Sequence, residues 1–77
     1  MEQKQLQLQP RLALLAALVP PGRRLADVGT DHGYLPVYLL QQGRIPSAIA
    51  ADIGAEPLEH ARRTAGEYNV TGLELRL

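Results

Sequence analysis

Residues 25–36 read Leu25-Ala26-Asp27-Val28-Gly29-Thr30-Asp31-His32-Gly33-Tyr34-Leu35-Pro36, and the fold is decided there. The stretch from Arg23 to Val28 turns apolar after two arginines and stops at Gly29, which predicts a short strand. Gly33 to Gln42 then predicts a short helix, with Pro36 tolerated in its first turn and Gly43 as its stop. A strand that passes into a helix through a turn with two glycines opens a βαβ unit.

The flanking sequence extends this pattern. Upstream, about Leu8 to Val19, the residues Leu12, Leu15 and Val19 fall at i, i+3 and i+7 of a helix. Pro10 suits its first turn, and Pro20-Pro21-Gly22 ends it. Downstream, Ser47 to Ala51 predicts a small-residue strand ending at Asp52. From about Glu56 to Tyr68 one apolar stripe, Leu58, Ala61, Ala65 and Tyr68, predicts a helix with Pro57 near its start. Glu59 and Arg63 form a favourable i,i+4 pair, His60 falls on the solvated side, and Asn69 with Gly72 closes the helix. Leu73 to Leu77 alternates apolar and charged residues, as a further strand does.

The order helix, strand, helix, strand, helix, strand implies right-handed βαβ crossovers and a parallel sheet. Two apolar strands without clean alternation predict a sheet covered on both faces. The expected class is therefore α/β, the first half of a doubly wound fold preceded by an N-terminal helix. Residues 1–20 form the helical lead and residues 21–77 the opening part of the sheet domain. Ligands of such folds bind at the carboxyl ends of the strands, so Gly29 to Gly33 and Asp52 share one rim.

Composition excludes several chemistries. The chain has 77 residues, no cysteine and two histidines, His32 and His60. A disulfide scaffold and a Cys-ligated metal site are out, and two histidines are too few for a histidine cage. The longest near-apolar run, Leu12 to Val19, is far too short to cross a bilayer. Met1-Glu2-Gln3-Lys4-Gln5 lacks the basic and apolar regions of a signal peptide, so the expected compartment is the cytoplasm. Apart from a Gln-alternating lead, Gln3 to Gln9, no repeat or low-complexity tract is visible. Basic and acidic residues balance at eight each. With Asp27, Asp31 and Asp52 assigned to one pocket, a mild positive excess remains elsewhere, which permits a polyanionic partner.

Three nucleotide chemistries compete for the Asp27–Tyr34 turn. A P-loop needs Gly-Lys-Ser/Thr after four spacer residues, and nothing here matches. A dinucleotide fingerprint, G-x-G-x-x-G, brings backbone against a pyrophosphate, but its second glycine position is Asp31, with Asp27 nearby. Two carboxylates repel a diphosphate. The S-adenosylmethionine motif D/E-x-G-x-G-x-G matches at Asp27, Gly29 and Gly33, and Asp31 replaces its middle glycine. That ligand carries sulfonium and ammonium cations, so nearby acids favour it. Asp27 is placed to hold the ammonium, Gly29 to let backbone approach, and Asp52 to accept the ribose hydroxyls. Plainer roles stand beside these: an acid before a helix also serves as an N-cap or turn former. His32 reads as a contact to ligand or target base, or as a hydrogen-bonded turn residue. Tyr34 and Tyr38 read as packing residues, with Tyr34 the better candidate for a cofactor contact.

Arg11-Leu12, Val19-Pro20-Pro21-Gly22, Leu25 to Pro36 and Ala48-Ile49-Ala50-Ala51-Asp52 together resemble the bacterial tRNA (adenine-N1)-methyltransferases, which act on adenine-22 of the tRNA D-arm. The resemblance runs from Leu8 onward, and the Asp-His-x-Tyr-Leu-Pro stretch is its most specific part. That family more often has Ser at Thr30, Ala at Gly33 and Glu at Asp52. The resemblance implies a Rossmann-like class I methyltransferase fold with S-adenosylmethionine as cofactor, no metal, and tRNA as partner. By position, Asp27, Gly29, Thr30, Asp31, His32, Gly33, Tyr34 and Leu35 would form the methionine side of the pocket. Asp52 and Ile53 would form the ribose and adenine side. Arg11 and His32 are the substrate-facing candidates, a solvated arginine being the plain alternative for Arg11. The family continues with a Gly-Asp-Gly-Leu loop, further strands and an RNA-binding extension, so the chain is expected to be the amino-terminal part of a larger enzyme. No catalytic residue and no oligomeric state is assigned. The rival expectations are a class I methyltransferase for a small molecule or protein, and an inactive binding fragment.

Overall fold

The computed structural model describes residues 4–77. The first residues of the signal-peptide, Gln-rich-lead and helical-lead readings, Met1 to Gln3, lie outside the described residues. Six elements follow in the expected order: α1 (Pro10–Leu18), β1 (Leu25–Val28), α2 (Tyr34–Gln41), β2 (Ala48–Ala51), α3 (Ala55–Glu67) and β3 (Leu73–Arg76). The three strands form one parallel sheet, ordered β1-β2-β3, with Leu25 opposite Ala48 and Ala48 opposite Leu73.

The helix boundaries follow from local chemistry. Pro10 occupies the first turn of α1, where its missing N–H costs nothing. The helix end at Leu18 is capped from a distance: Arg44 donates Nε–H to Val19 O at 2.9 Å and Nη2–H to Ala17 O at 3.4 Å. A cation there also faces the negative end of the helix dipole. Gly43 ends α2 in the left-handed conformation, with φ of 70°. Asn69, at φ of 55°, turns the chain out of α3.

One hydrophobic core joins the helices to the sheet. Ala16, Leu39, Ile45 and Ala48 form its centre, with Leu8, Val19 and Leu35 packed around them. Helix α3 adds Leu58, Ala61 and Thr64. Two expectations are corrected. The lead is helical only from Pro10, and residues 4–9 belong to no helix or strand. The inward stripe of α1 is Leu12, Ala16 and Val19, while Leu15 is half exposed. Leucines at 12, 14, 15 and 18 make nearly every face of this helix apolar, so periodicity alone does not choose between them.

The sheet is also not covered on both faces by the described residues. Burial alternates along β1 and β3, with Leu25, Asp27, Leu73 and Leu75 on the covered side. Ala26, Val28, Glu74 and Arg76 are exposed on the other side, and Val28 is 85% exposed. The small, uniformly apolar residues of β2 carry no polar marker for an outer face, which is why the sequence reads as doubly covered.

Candidate functional site

The site grows from the carboxyl end of β1. Asp27 lies on the covered side of its strand, half-buried, and buried Thr30 donates Oγ1–H to its Oδ2 at 2.8 Å. Among the described residues that is the carboxylate's hydrogen-bond partner, which leaves lone pairs for a ligand. The following turn is fastened to the neighbouring strand: the N–H groups of Gly29 and Thr30 both donate to Ala51 O, at 2.8 and 3.1 Å. Making that turn requires positive φ at Gly29 (73°) and Asp31 (57°), a conformation open to Gly and tolerated by Asp.

Asp52 ties the two strand ends together. Its carboxylate accepts the Asp31 N–H at 3.3 Å and the Gly54 N–H at 3.1 Å. The Asp31 side chain, exposed, pairs with His32 Nδ1 at 3.2 Å. The His32 ring is stacked on Tyr34 on one side (5.2 Å between centroids) and on His60 on the other (4.8 Å). This corrects the reading of His60 as a solvated residue. A Cβ on Gly33 would meet Ala61 Cβ at 2.8 Å, so α2 and α3 approach closely there, and the residue before Ala61 reaches His32.

A cavity of about 660 Å³ opens beside this rim. The turn supplies Asp27, Gly29, Thr30, Asp31 and His32, and α2 supplies Tyr34 and Leu35. Arg11 lines it from α1. The remaining expected residues lie off its wall. Gly33 is buried at the α2–α3 contact, Asp52 joins the rim through Asp31, and the Ile53 side chain is fully exposed. Sequence reasoning missed the opposite wall: Leu6, Gln7, Leu8 and Gln9 of the extended lead, with Leu12, Leu15 and Tyr68. The alternation of Gln and Leu over residues 5–9 was the available signal, since that period marks an extended segment with one buried side.

Behind Tyr68 the lead is tied down electrostatically. Lys4 Nζ meets Glu67 Oε2 at 3.0 Å and stands 5.3 Å from the Tyr68 ring centre. The hydrogen bond and charge of Lys4 hold the Glu67 carboxyl below its usual range, and Glu67 raises Lys4 in return. Burial, then Glu67, pushes the Tyr68 hydroxyl up. On α3, the hydrogen bond from Arg62 lowers the Glu59 carboxyl, and Arg63 lies 3.8 Å from the same group. Among the described residues no cluster of three or more His, Asp or Glu side chains forms a metal-ligand set, and no helix is long and apolar enough to cross a membrane.

Two carboxylates and a single arginine in one cavity suit a ligand with cationic groups, and they oppose a diphosphate. A family model described as a methyltransferase domain matches residues 8–77. The chain belongs to this methyltransferase-domain family. The domain is 39% identical, over 59 residues, to the tRNA (adenine(22)-N(1))-methyltransferase of Bacillus subtilis (strain 168). That match covers 77% of this chain and 25% of the relative. A protein of the NADB-Rossmann superfamily from Streptococcus agalactiae superposes with a TM-score of 0.89 at 43% identity, covering 95% of this chain and 33% of the other. M. capricolum TrmK, solved with the cofactor product S-adenosyl-homocysteine, gives a TM-score of 0.80 at 37% identity, over 91% and 31% of the two chains. The methyltransferase domain described here thus spans a quarter to a third of the length of these relatives.

Proposed function

We propose that this domain belongs to an S-adenosylmethionine-dependent tRNA methyltransferase that methylates N1 of adenine 22 in the D-arm. One observation carries the reading: Asp27 and Asp31 line the same cavity, at the carboxyl end of a parallel sheet, beside a glycine turn that lacks any phosphate-binding lysine. The cavity volume falls in the range of about 300–1,000 Å³ usual for small-molecule sites. When bound, the cofactor supplies a methyl group activated on a sulfonium.

In this reading Asp27 holds the ammonium through the lone pairs that Thr30 leaves free. Gly29, Thr30, Asp31, His32, Gly33, Tyr34 and Leu35 form or support the methionine side. Asp52, at the adjoining rim, and Ile53, whose side chain stands in solvent, would form the ribose and adenine side beyond this cavity. Arg11 and His32 face the RNA. The identity to the B. subtilis tRNA enzyme supports tRNA as the substrate, and a tRNA substrate makes the cytoplasm the place of action. Residues 1–20 are the N-terminal helical lead, and residues 21–77 are the first part of the cofactor-binding domain. Catalysis rests mainly on positioning the adenine nitrogen against the methyl group, since the cofactor brings its own leaving group.

Calorimetry on the intact protein with S-adenosylmethionine tests the pocket. Asp52→Ala is expected to weaken binding by about 1–3 kcal/mol, the range for hydrogen-bonding groups left unpaired. Unchanged affinity defeats the pocket assignment. Transfer of labelled methyl to unmodified tRNA, lost when adenine 22 is replaced, tests the substrate. Transfer to protein or metabolite mixtures in place of tRNA overturns it.

A further inference from the structure

Residues 4–9, of which residues 6–9 wall the cavity, belong to no helix or strand, so no regular backbone pairing holds them in place. Leu6 is nonetheless only 5% exposed. The fastening comes from Gln41, the last residue of α2, which is itself not part of the cavity wall. Its Oε1 accepts the Leu6 N–H at 2.8 Å. Its Nε2 donates to Lys4 O at 2.7 Å and to Tyr68 O at 3.1 Å. One carboxamide therefore satisfies an N–H and a carbonyl of the lead together with a carbonyl at the end of α3. The Lys4–Glu67 ion pair acts at the same place, but both partners are more than half exposed, and such pairs contribute little.

We infer that Gln41 is a positioning residue for the cofactor site: its side chain grips the lead at Lys4 and Leu6 and so fixes residues 6–9 as one wall of the cavity without touching the ligand. The chemistry is specific to a carboxamide. Glutamate can accept the Leu6 N–H but cannot donate to two carbonyls, and alanine does neither. Bound cofactor is retained by a wall whose position is set from behind, by α2. This inference rests on the proposal that the cavity takes S-adenosylmethionine.

The test compares the intact protein with Gln41→Ala, Gln41→Glu and a stability control, Val37→Ala, whose buried side chain lies outside the cavity wall. Amide hydrogen exchange at residues 4–9, dissociation of S-adenosyl-homocysteine and the melting temperature are read together. Gln41→Ala is expected to speed exchange at the Leu6 amide and cofactor dissociation by roughly tenfold, the effect of losing about 1.4 kcal/mol of hydrogen bonding. Gln41→Glu should fall between. Val37→Ala should lower the melting temperature and leave both local readouts unchanged. If Gln41→Ala releases S-adenosyl-homocysteine no faster than the unaltered protein does, or if Val37→Ala mimics Gln41→Ala, the positioning role is overturned. Failure of the unaltered protein to bind S-adenosyl-homocysteine at all overturns the underlying reading of the cavity instead, and removes the role that depends on it.

Discussion

Gly33 sits where two constraints meet. Its φ of 73° disfavours any L side chain, and a methyl group there would lie 2.8 Å from Ala61 Cβ, inside contact distance. Gly33→Ala is therefore expected to destabilise the fold by about 1–3 kcal/mol, the usual cost of overpacking, measured by urea unfolding. Adding Ala61→Gly should recover the part due to contact and none of the part due to φ. An unchanged midpoint in Gly33→Ala would sink this account. At this scale much of the cavity lining was legible: Asp27, Gly29 and Asp31 are marked by spacing and Thr30 by the family resemblance, and all four line the cavity. His60 was not, because its ring partner is on another helix and nothing within α3 announces a neighbour brought in by tertiary packing.

The elements themselves came out with their ends displaced by only one or two residues, because proline and glycine punctuate the chain so clearly. Pro10, Gly29, Gly43 and Gly72 each stand at or beside a boundary. What periodicity could not supply was orientation. In α1 four leucines compete for one inward stripe, and the structure buries Ala16 instead, whose small side chain lets the helix approach the core. The end of α1 depends on a contact that no local pattern contains, since Arg44 lies 25 residues from the Val19 carbonyl it caps. Arg44→Met keeps much of the aliphatic stem and removes both hydrogen bonds. It is expected to cost about 1–2 kcal/mol, with the loss concentrated in α1 when helix protection is followed by hydrogen exchange. Equal protection of α1 and α3 in the variant would argue that the cap is idle. The extended lead was the least legible element, because its place is set by Gln41 across a gap of 35 residues.

For the molecule as a whole, the exposed Lys4–Glu67 pair adds a small pH-dependent contribution to a lead that Gln41 fastens. The Glu67 carboxyl is held below its ordinary range chiefly by the Lys4 hydrogen bond, so the stabilisation is fully present above the unfolded value of about 4.3. It is lost as pH falls through the lowered value. Lys4 is raised, so its contribution is present below the ordinary lysine range and is lost as pH rises through the raised value. NMR shifts of the Lys4 and Glu67 side chains are expected to stay constant across neutral pH and to move at both extremes, with only small changes over residues 6–9, which Gln41 fastens. Movement starting between pH 6 and 8 would count against the Lys4–Glu67 tie, and added salt should weaken it. The bare side of the sheet bears on a different property. Val28 stands almost fully in solvent there, and β1 and β3 each pair only with β2 among the described residues. The valine in solvent and the acid that lines the cavity are neighbours in sequence on opposite faces of β1, so Val28→Lys changes the charge of one face and leaves the other untouched.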